Sequence, residues 1–161
     1  MRSIRKMRDL FWFAVMFFFL MSASILFMPI ASQESVQNRK LVVLTGIVFW
    51  TTAIAGYVLI VIANRERKRL MGQKVIGMEK ADRFPGIATF FTNVFATISD
   101  GVLIMSFLFF VVVNFTSWRY DYISYVLLFM LIFSLHMHCL FNGRIYKTIK
   151  YKCVRRESSH E

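Results

Sequence analysis

Residues 64–100 read NRERKRLMGQKVIGMEKADRFPGIATFFTNVFATISD, the one long polar connection in a chain otherwise made of apolar runs, short loops and a basic tail. The stretch carries seven Lys or Arg residues, a break at Pro85 and Gly86, and a carboxylate, Asp100, at the mouth of the next apolar run. Before it, residues 10–30 and 41–63 contain no Asp, Glu, Lys or Arg; after it, neither do residues 101–118 and 122–141. A hydrocarbon core of ~30 Å is crossed by about 20 such residues in a helix. The pattern predicts four transmembrane helices, at about 10–30, 41–63, 98–118 and 122–141.

Composition agrees. The chain has 161 residues, 57% of them hydrophobic, 18 Phe and a mean hydropathy of +0.55. That length suits one domain, and a soluble domain breaks its apolar residues up with polar faces instead of gathering them in blocks. The expected architecture is therefore an all-α membrane protein. It is a four-helix transmembrane bundle forming one domain over residues 1–161.

The net charge is +11. In a soluble protein this would point to nucleic acid, but no folded basic module is left to bind it, and none is expected as a partner. Of the 20 Lys and Arg residues, 17 fall before Leu10, between Arg65 and Arg83, or from Arg144 to Arg156; only Arg39, Lys40 and Arg119 fall elsewhere. The positive-inside rule then predicts cytoplasmic N and C termini, a basic cytoplasmic loop at 64–86 and a basic cytoplasmic tail at 142–161, in a plasma or cell membrane. Cys139 and Cys153 fall on the reducing side, so no disulfide is expected. The start, MRSIRKMR before a long apolar run, reads as an uncleaved first span, since the run exceeds the usual signal-peptide core.

The second span has the most small residues. Gly46, Thr52 and Gly56 lie where helix backbones approach closely in lipid. This helix is expected at the centre of the bundle, with Trp50 packed inside. The outer turn, with Trp118, Tyr120 and Tyr122, reads as an interfacial aromatic belt.

The central stretch divides at Pro85 and Gly86. Before the break, Arg65, Arg67, Lys68, Arg69 and Lys74 alternate with Leu70, Met71 and Val75. They are the expected contacts to anionic inner-leaflet lipid or to a partner subunit. After it, Ile87, Phe90 or Phe91, Val94, Phe95 and Ile98 recur at helical spacing, with Thr89, Thr92, Asn93, Thr97 and Asp100 opposite. This predicts an interfacial amphipathic helix before the third span. The basic tail is amphipathic from Ile145 to Val154, and is expected on the inner leaflet.

Asp100 is the one carboxylate close to a span, and ionisable groups there are costly and often functional. Two readings stay open. Asp100 ends the approach helix in water, or it pairs with His136 or His138, which lie in the same leaflet at the end of the fourth span. Such a pair exchanges a proton where histidine titrates. His136 and His138 point about 200° apart on a helix and do not share an ion. His136 with Cys139, or His138 with Asn142, share a side, but these sets fall short of four ligands. No metal and no cofactor are expected. No Cys-x-x-Cys pair or His-Glu-x-x-His motif is present, the outer loops are short, and no enzyme is expected.

The run Arg67-Lys68-Arg69-Leu70-Met71-Gly72-Gln73-Lys74-Val75-Ile76 is similar to the Gly-Lys-Arg-Leu-Leu-Gly-Leu-Lys-Val-Val pattern of RDD-family membrane proteins. There the pattern follows a transmembrane hairpin and precedes a segment ending in an Asp that opens the next span. Residues 90–100 resemble that segment. Arg67 stands at the family's leading Gly, Thr92 or Asn93 where an Arg is usual, and Arg8 and Asp9 precede the first span where the family has an Arg and Asp pair within it. The resemblance implies a small multipass membrane protein with a transport or ion-exchange role.

Two functions follow as expectations. The first is a non-enzymatic subunit or accessory protein of a membrane complex, meeting other membrane subunits or further copies of itself. The second is a small oligomeric transporter using Asp100 with His136 or His138.

Overall fold

The computed structural model describes residues 2–28, 36–72, 90–115 and 121–157. Lys74, the Pro85 and Gly86 break, and Trp118 with Tyr120 of the expected aromatic belt lie outside them. Helix α1 is Arg2–Ser24, continued by a 3-10 turn at Ile25–Phe27. α2 is Val36–Gly72, α3 Val94–Phe115, α4 Asp121–Phe141 and α5 Arg144–Glu157. Four helices are long and apolar enough to cross a membrane, over Ile4–Phe27, Arg39–Leu70, Val94–Phe115 and Tyr122–Phe141. They fit a multipass membrane protein.

The first two helices overrun their apolar windows. α1 is helical from Arg2, and α2, at 37 residues, continues past Ala63 to Gly72. At 1.5 Å per residue α2 is about 55 Å long, well beyond the ~30 Å hydrocarbon core. The expected basic loop therefore begins as helix. Its residues, Arg65, Glu66, Arg67, Lys68, Arg69, Leu70 and Met71, are all competent helix formers, and Gly72 comes where a helix usually stops.

A seam holds the two together. Met7, Phe11, Ala14, Phe18 and Met21 of α1 and Ile25 of the 3-10 turn are buried at alternating spacings of four and three. That is the 3.5-residue repeat by which two helices keep one stripe facing each other. α2 replies with Ala53, Gly56, Ala63 and Leu70. Lys6 Nζ to Glu66 Oε1, 3.1 Å, and Phe18 against Gly56 fix the antiparallel register.

The four spans follow the spatial order α2, α1, α4, α3. α1 packs along α2 and also touches α4 and α5, while α3 packs on α4. The arrangement is an open row, with no substantial packing of α2 on α3 among the described residues. The centre is thus α1 and not α2: 39% of the first apolar window is buried against 17% of the second. The small residues of α2 line only one side, and Val43, Ile47, Ile54, Val58 and Val61 face outward. Trp50 faces outward with them, 65% exposed, and does not pack inside.

Of the three expected packing residues, Gly56 fills the role. A Cβ there would meet the Phe18 ring at 3.0 Å. Thr52 is partly buried, and its hydroxyl donates to the Val48 carbonyl of its own helix at 2.6 Å. Gly46 has nothing within 4 Å of its Cβ position. The register explains this, since ten residues along from Phe18 α1 has ended. Gly56→Leu is therefore expected to destabilise the fold by about 1–3 kcal/mol through overpacking. Gly46→Leu should change it little or stabilise it, because any helix former beats Gly. Unfolding midpoints in matched micelles check the contrast.

Of the expected interfacial helix before the third span, Ile87 and Thr89 lie outside the described residues and residues 90–93 are not helical; α3 starts at Val94. The amphipathic helix at this end is α5. It buries Ile145, Thr148 and Ile149 among α1, α2 and α4, so these side chains face protein and not the leaflet.

Candidate functional site

The site lies where α3 begins and α4 ends. Asn93 caps α3: its Oδ1 accepts the Ala96 N–H at 3.0 Å, and its carbonyl accepts Thr97 N–H at 2.7 Å. Asn is among the best residues for this, because its short side chain satisfies an amide the helix leaves open. The other half of the same side chain donates to the Phe141 carbonyl of α4 at 3.2 Å. Asn142 plays the matching part past α4. Its Nδ2 donates to the His138 carbonyl at 3.1 Å, and its Oδ1 accepts the Thr92 hydroxyl. Gly143 then turns the chain into α5; a Cβ there would lie 2.8 Å from the Cys139 carbonyl oxygen, so only glycine fits.

Asp100 sits inside this frame, 0% exposed. It does not end its helix in water. Oδ1 accepts from His138 Nδ1 at 2.6 Å and Oδ2 accepts the Phe91 N–H at 2.7 Å. Because a carboxylate oxygen only accepts, the hydrogen of the neutral imidazole is on Nδ1. The Asn142 amide nitrogen, 3.1 Å from the same nitrogen, donates to the His138 carbonyl, since an Nδ1 that carries a hydrogen accepts none. The Phe90 ring covers the His138 ring, centroids 4.7 Å apart and tilted 34°.

The depth of the pair follows from aromatic neighbours. Phe95 of α3 stacks on Phe141 of α4 at 5.3 Å, and Phe141 meets Phe11 of α1 at 5.9 Å. Tyr146 of α5 joins Phe141 at 5.0 Å. Partial burial there pushes the Tyr146 phenol above its ordinary value. From this aromatic level Asp100 is about 7–8 Å further along α3 and His138 about 4–5 Å further along α4, at 1.5 Å per residue. Both are inside the edge of the apolar windows.

His136 faces the other way. Its Nδ1 donates to the Ile132 carbonyl at 2.8 Å, so Nε2 accepts the Tyr57 hydroxyl of α2 at 2.9 Å. The ring packs on Phe18 at 4.6 Å. Of the two candidate histidines, His138 meets Asp100 and His136 joins α4 to α1 and α2.

The basic candidates separate too. Arg65, Lys68 and Arg69 are exposed on α2. Arg67 is 5% exposed, and its Nε donates to Asn64 Oδ1 at 3.1 Å. It is not a lipid contact, because continued helix turns it to the buried side with Ala63, Glu66 and Leu70. Elsewhere in the spans, hydroxyls and amides close onto their own helices. Ser22 donates to the Phe18 carbonyl, Thr45 to Leu41, Thr51 to Ile47, Asn114 to Phe110 and Ser134 to Leu131.

Sequence spacing alone does not bring the frame residues Thr92, Asn93 and Asn142 together. One signal points to them: Thr and Asn directly before an apolar run are N-cap residues, which places the helix start at Val94 and leaves both side chains free to bridge. No family model matches the chain, nor does any curated protein or solved structure, so its function is read from this geometry.

Proposed function

We propose that the chain is a non-enzymatic subunit or accessory protein of a membrane complex, with both termini cytoplasmic. Its basic end meets anionic lipid of the inner leaflet and neighbouring membrane subunits. The observation that carries this reading is the division of polar groups. Among the described residues, the Ser and Thr hydroxyls bonded within the spans are spent on their own helices, and the Tyr57 hydroxyl, which donates to His136, is the exception. Exposed charge gathers at one end instead: Arg5, Lys6 and Arg8 on α1 lie opposite Arg65, Lys68 and Arg69 on α2, at a level set by Lys6 and Glu66. Substrate sites of transporters normally lie near mid-bilayer, and the middle of each described span holds no Asp, Glu, Lys or Arg. The similarity of residues 67–76 to the RDD pattern supports the multipass class.

Each Lys or Arg near an anionic surface contributes about 1 kcal/mol. Replacing Arg65, Lys68 and Arg69 together by Ala should therefore reduce retention of phosphatidylglycerol by at least about tenfold. Native mass spectrometry from nanodiscs of mixed phosphatidylglycerol and phosphatidylcholine reads this. Equal retention by the variant contradicts the lipid contact. Arg67→Ala should act differently, lowering fold stability with little change in lipid retention.

A second reading is favoured by one observation, the buried contact of Asp100 with His138. Intramembrane carboxylates and histidines line proton and ion pathways, and the pair would then couple translocation in a small oligomer. In proteoliposomes the first reading predicts no ion or proton flux above empty vesicles. A flux abolished by Asp100→Asn would replace it with the second.

A further inference from the structure

Residues 90–93 run without helix or strand directly before α3, and the Phe91 amide reaches Asp100, nearly two turns inside it. Away from water every backbone amide there needs a partner. Phe91 supplies the unusual feature: its φ is 57°, and it is the one non-glycine residue with positive φ among the described residues. In this region Cβ crowds the following carbonyl oxygen, and a bulky side chain is strained. Such strain persists only where neighbours enforce it, and it clusters at switch segments.

The enforcing contacts come from two helices. The Phe91 amide is held by Asp100 of α3, while the Thr92 hydroxyl is held by Asn142, and the Asn93 amide by the Phe141 carbonyl, both at the end of α4. Phe90 covers His138 of α4. Little apolar burial helps, since Phe90 and Phe91 stay 50% and 54% exposed. A few hydrogen bonds therefore hold a strained segment across the junction where α3 and α4 also bond to each other.

We infer that residues 90–93 are a strained gate over the pair formed by Asp100 and His138. Closed, the gate completes the second hydrogen bond of the carboxylate and covers the imidazole. Opening relaxes Phe91 and admits water from the basic end to both groups. Because Thr92, Asn93 and Phe91 are fastened to different helices, separation of α3 from α4 opens the gate as a unit. The inference is independent of what the basic end binds.

The test uses full-length protein in nanodiscs and two exchange readouts, at the Phe91 amide and at the imidazole C2 hydrogen of each histidine. Phe91→Gly removes the strain but adds glycine's freedom to the open state, and should slow exchange across residues 91–93 about two- to fivefold. Thr92→Val removes one anchor and should speed amide exchange about five- to tenfold, the worth of one hydrogen bond. It should also raise C2 exchange at His138 while His136, outside the gate, stays as in the wild type. Both positions precede α3, so neither variant disturbs a helix interior. Exchange in Phe91→Gly as fast as or faster than wild type would overturn the strain. Unchanged His138 exchange in Thr92→Val would overturn the gate.

Discussion

Asp100→Ala should lower stability by about 3–5 kcal/mol, the cost of leaving two buried donors unsatisfied at about 1–3 kcal/mol each. The carboxylate is fully buried and both of its oxygens are in use, by His138 and by the Phe91 amide. Alanine strands both donors at the edge of the hydrocarbon, where neither finds water. Asp100→Asn keeps the shape and one acceptor oxygen. It should cost less, about 1–3 kcal/mol, because its amide nitrogen then faces one of the two donors. Asp9→Ala is the control: it removes a carboxylate that is half exposed beside Arg8, and exposed pairs contribute at most about 1 kcal/mol. Unfolding midpoints in one detergent, read for all three variants, should rank Asp100→Ala lowest by a wide margin.

Phe11→Ala is the second large effect, about 3–5 kcal/mol from lost burial and the cavity left behind. Phe11 is fully buried where α1, α4 and α5 converge, touching Trp12, Phe141 and Tyr146. No neighbouring backbone is free to collapse into the space, because three helices hold its walls. The loss has a local signature beyond stability. Burial pushes the Tyr146 phenol up; loosening α5 should bring its titration back toward the ordinary phenol value. Phe13→Ala removes an equal ring from the outward face of α1, 55% exposed, and should cost far less. An ultraviolet titration of tyrosinate alongside thermal unfolding distinguishes the two variants.

The four spans are legible as charge-free runs because lipid tolerates few charges and demands a minimum length. Their ends are not. The chain turns polar at Asn64, yet Arg, Glu, Lys and Leu sustain a helix as well as the apolar residues before them, and α2 runs on to Gly72. Burial of Arg67 follows from that overrun. The centre of the row was legible in a pattern that small residues concealed. Met7, Phe11, Ala14, Phe18, Met21 and Ile25 repeat at heptad spacing along α1 and its 3-10 turn, whereas the glycines of α2 suggest packing on both sides and deliver it on one.

The site is half legible. Counting residues from the helix ends brings Asp100 and the two histidines to one depth. Which histidine turns toward α3 depends on the rotation of α4, and that is set by Phe18 and Tyr57 holding His136 on the opposite face. The helical spacing of Phe90, Val94 and Ile98 suggests continuous helix, but Thr92 and Asn93 compete for the backbone as caps and win. A positive φ at phenylalanine is invisible in sequence, because the contacts that hold its segment come from residues nine and some fifty positions away.

One interaction, the buried pair of Asp100 and His138, closes α3 on α4. A double-mutant cycle of Asp100→Ala, His138→Ala and the double variant, measured by reversible unfolding in micelles, isolates it. A coupling free energy of about 1.5–3 kcal/mol is expected, with the second substitution costing much less once the first is made. Additive effects, within about 0.5 kcal/mol, would mean that the two side chains do not act on each other.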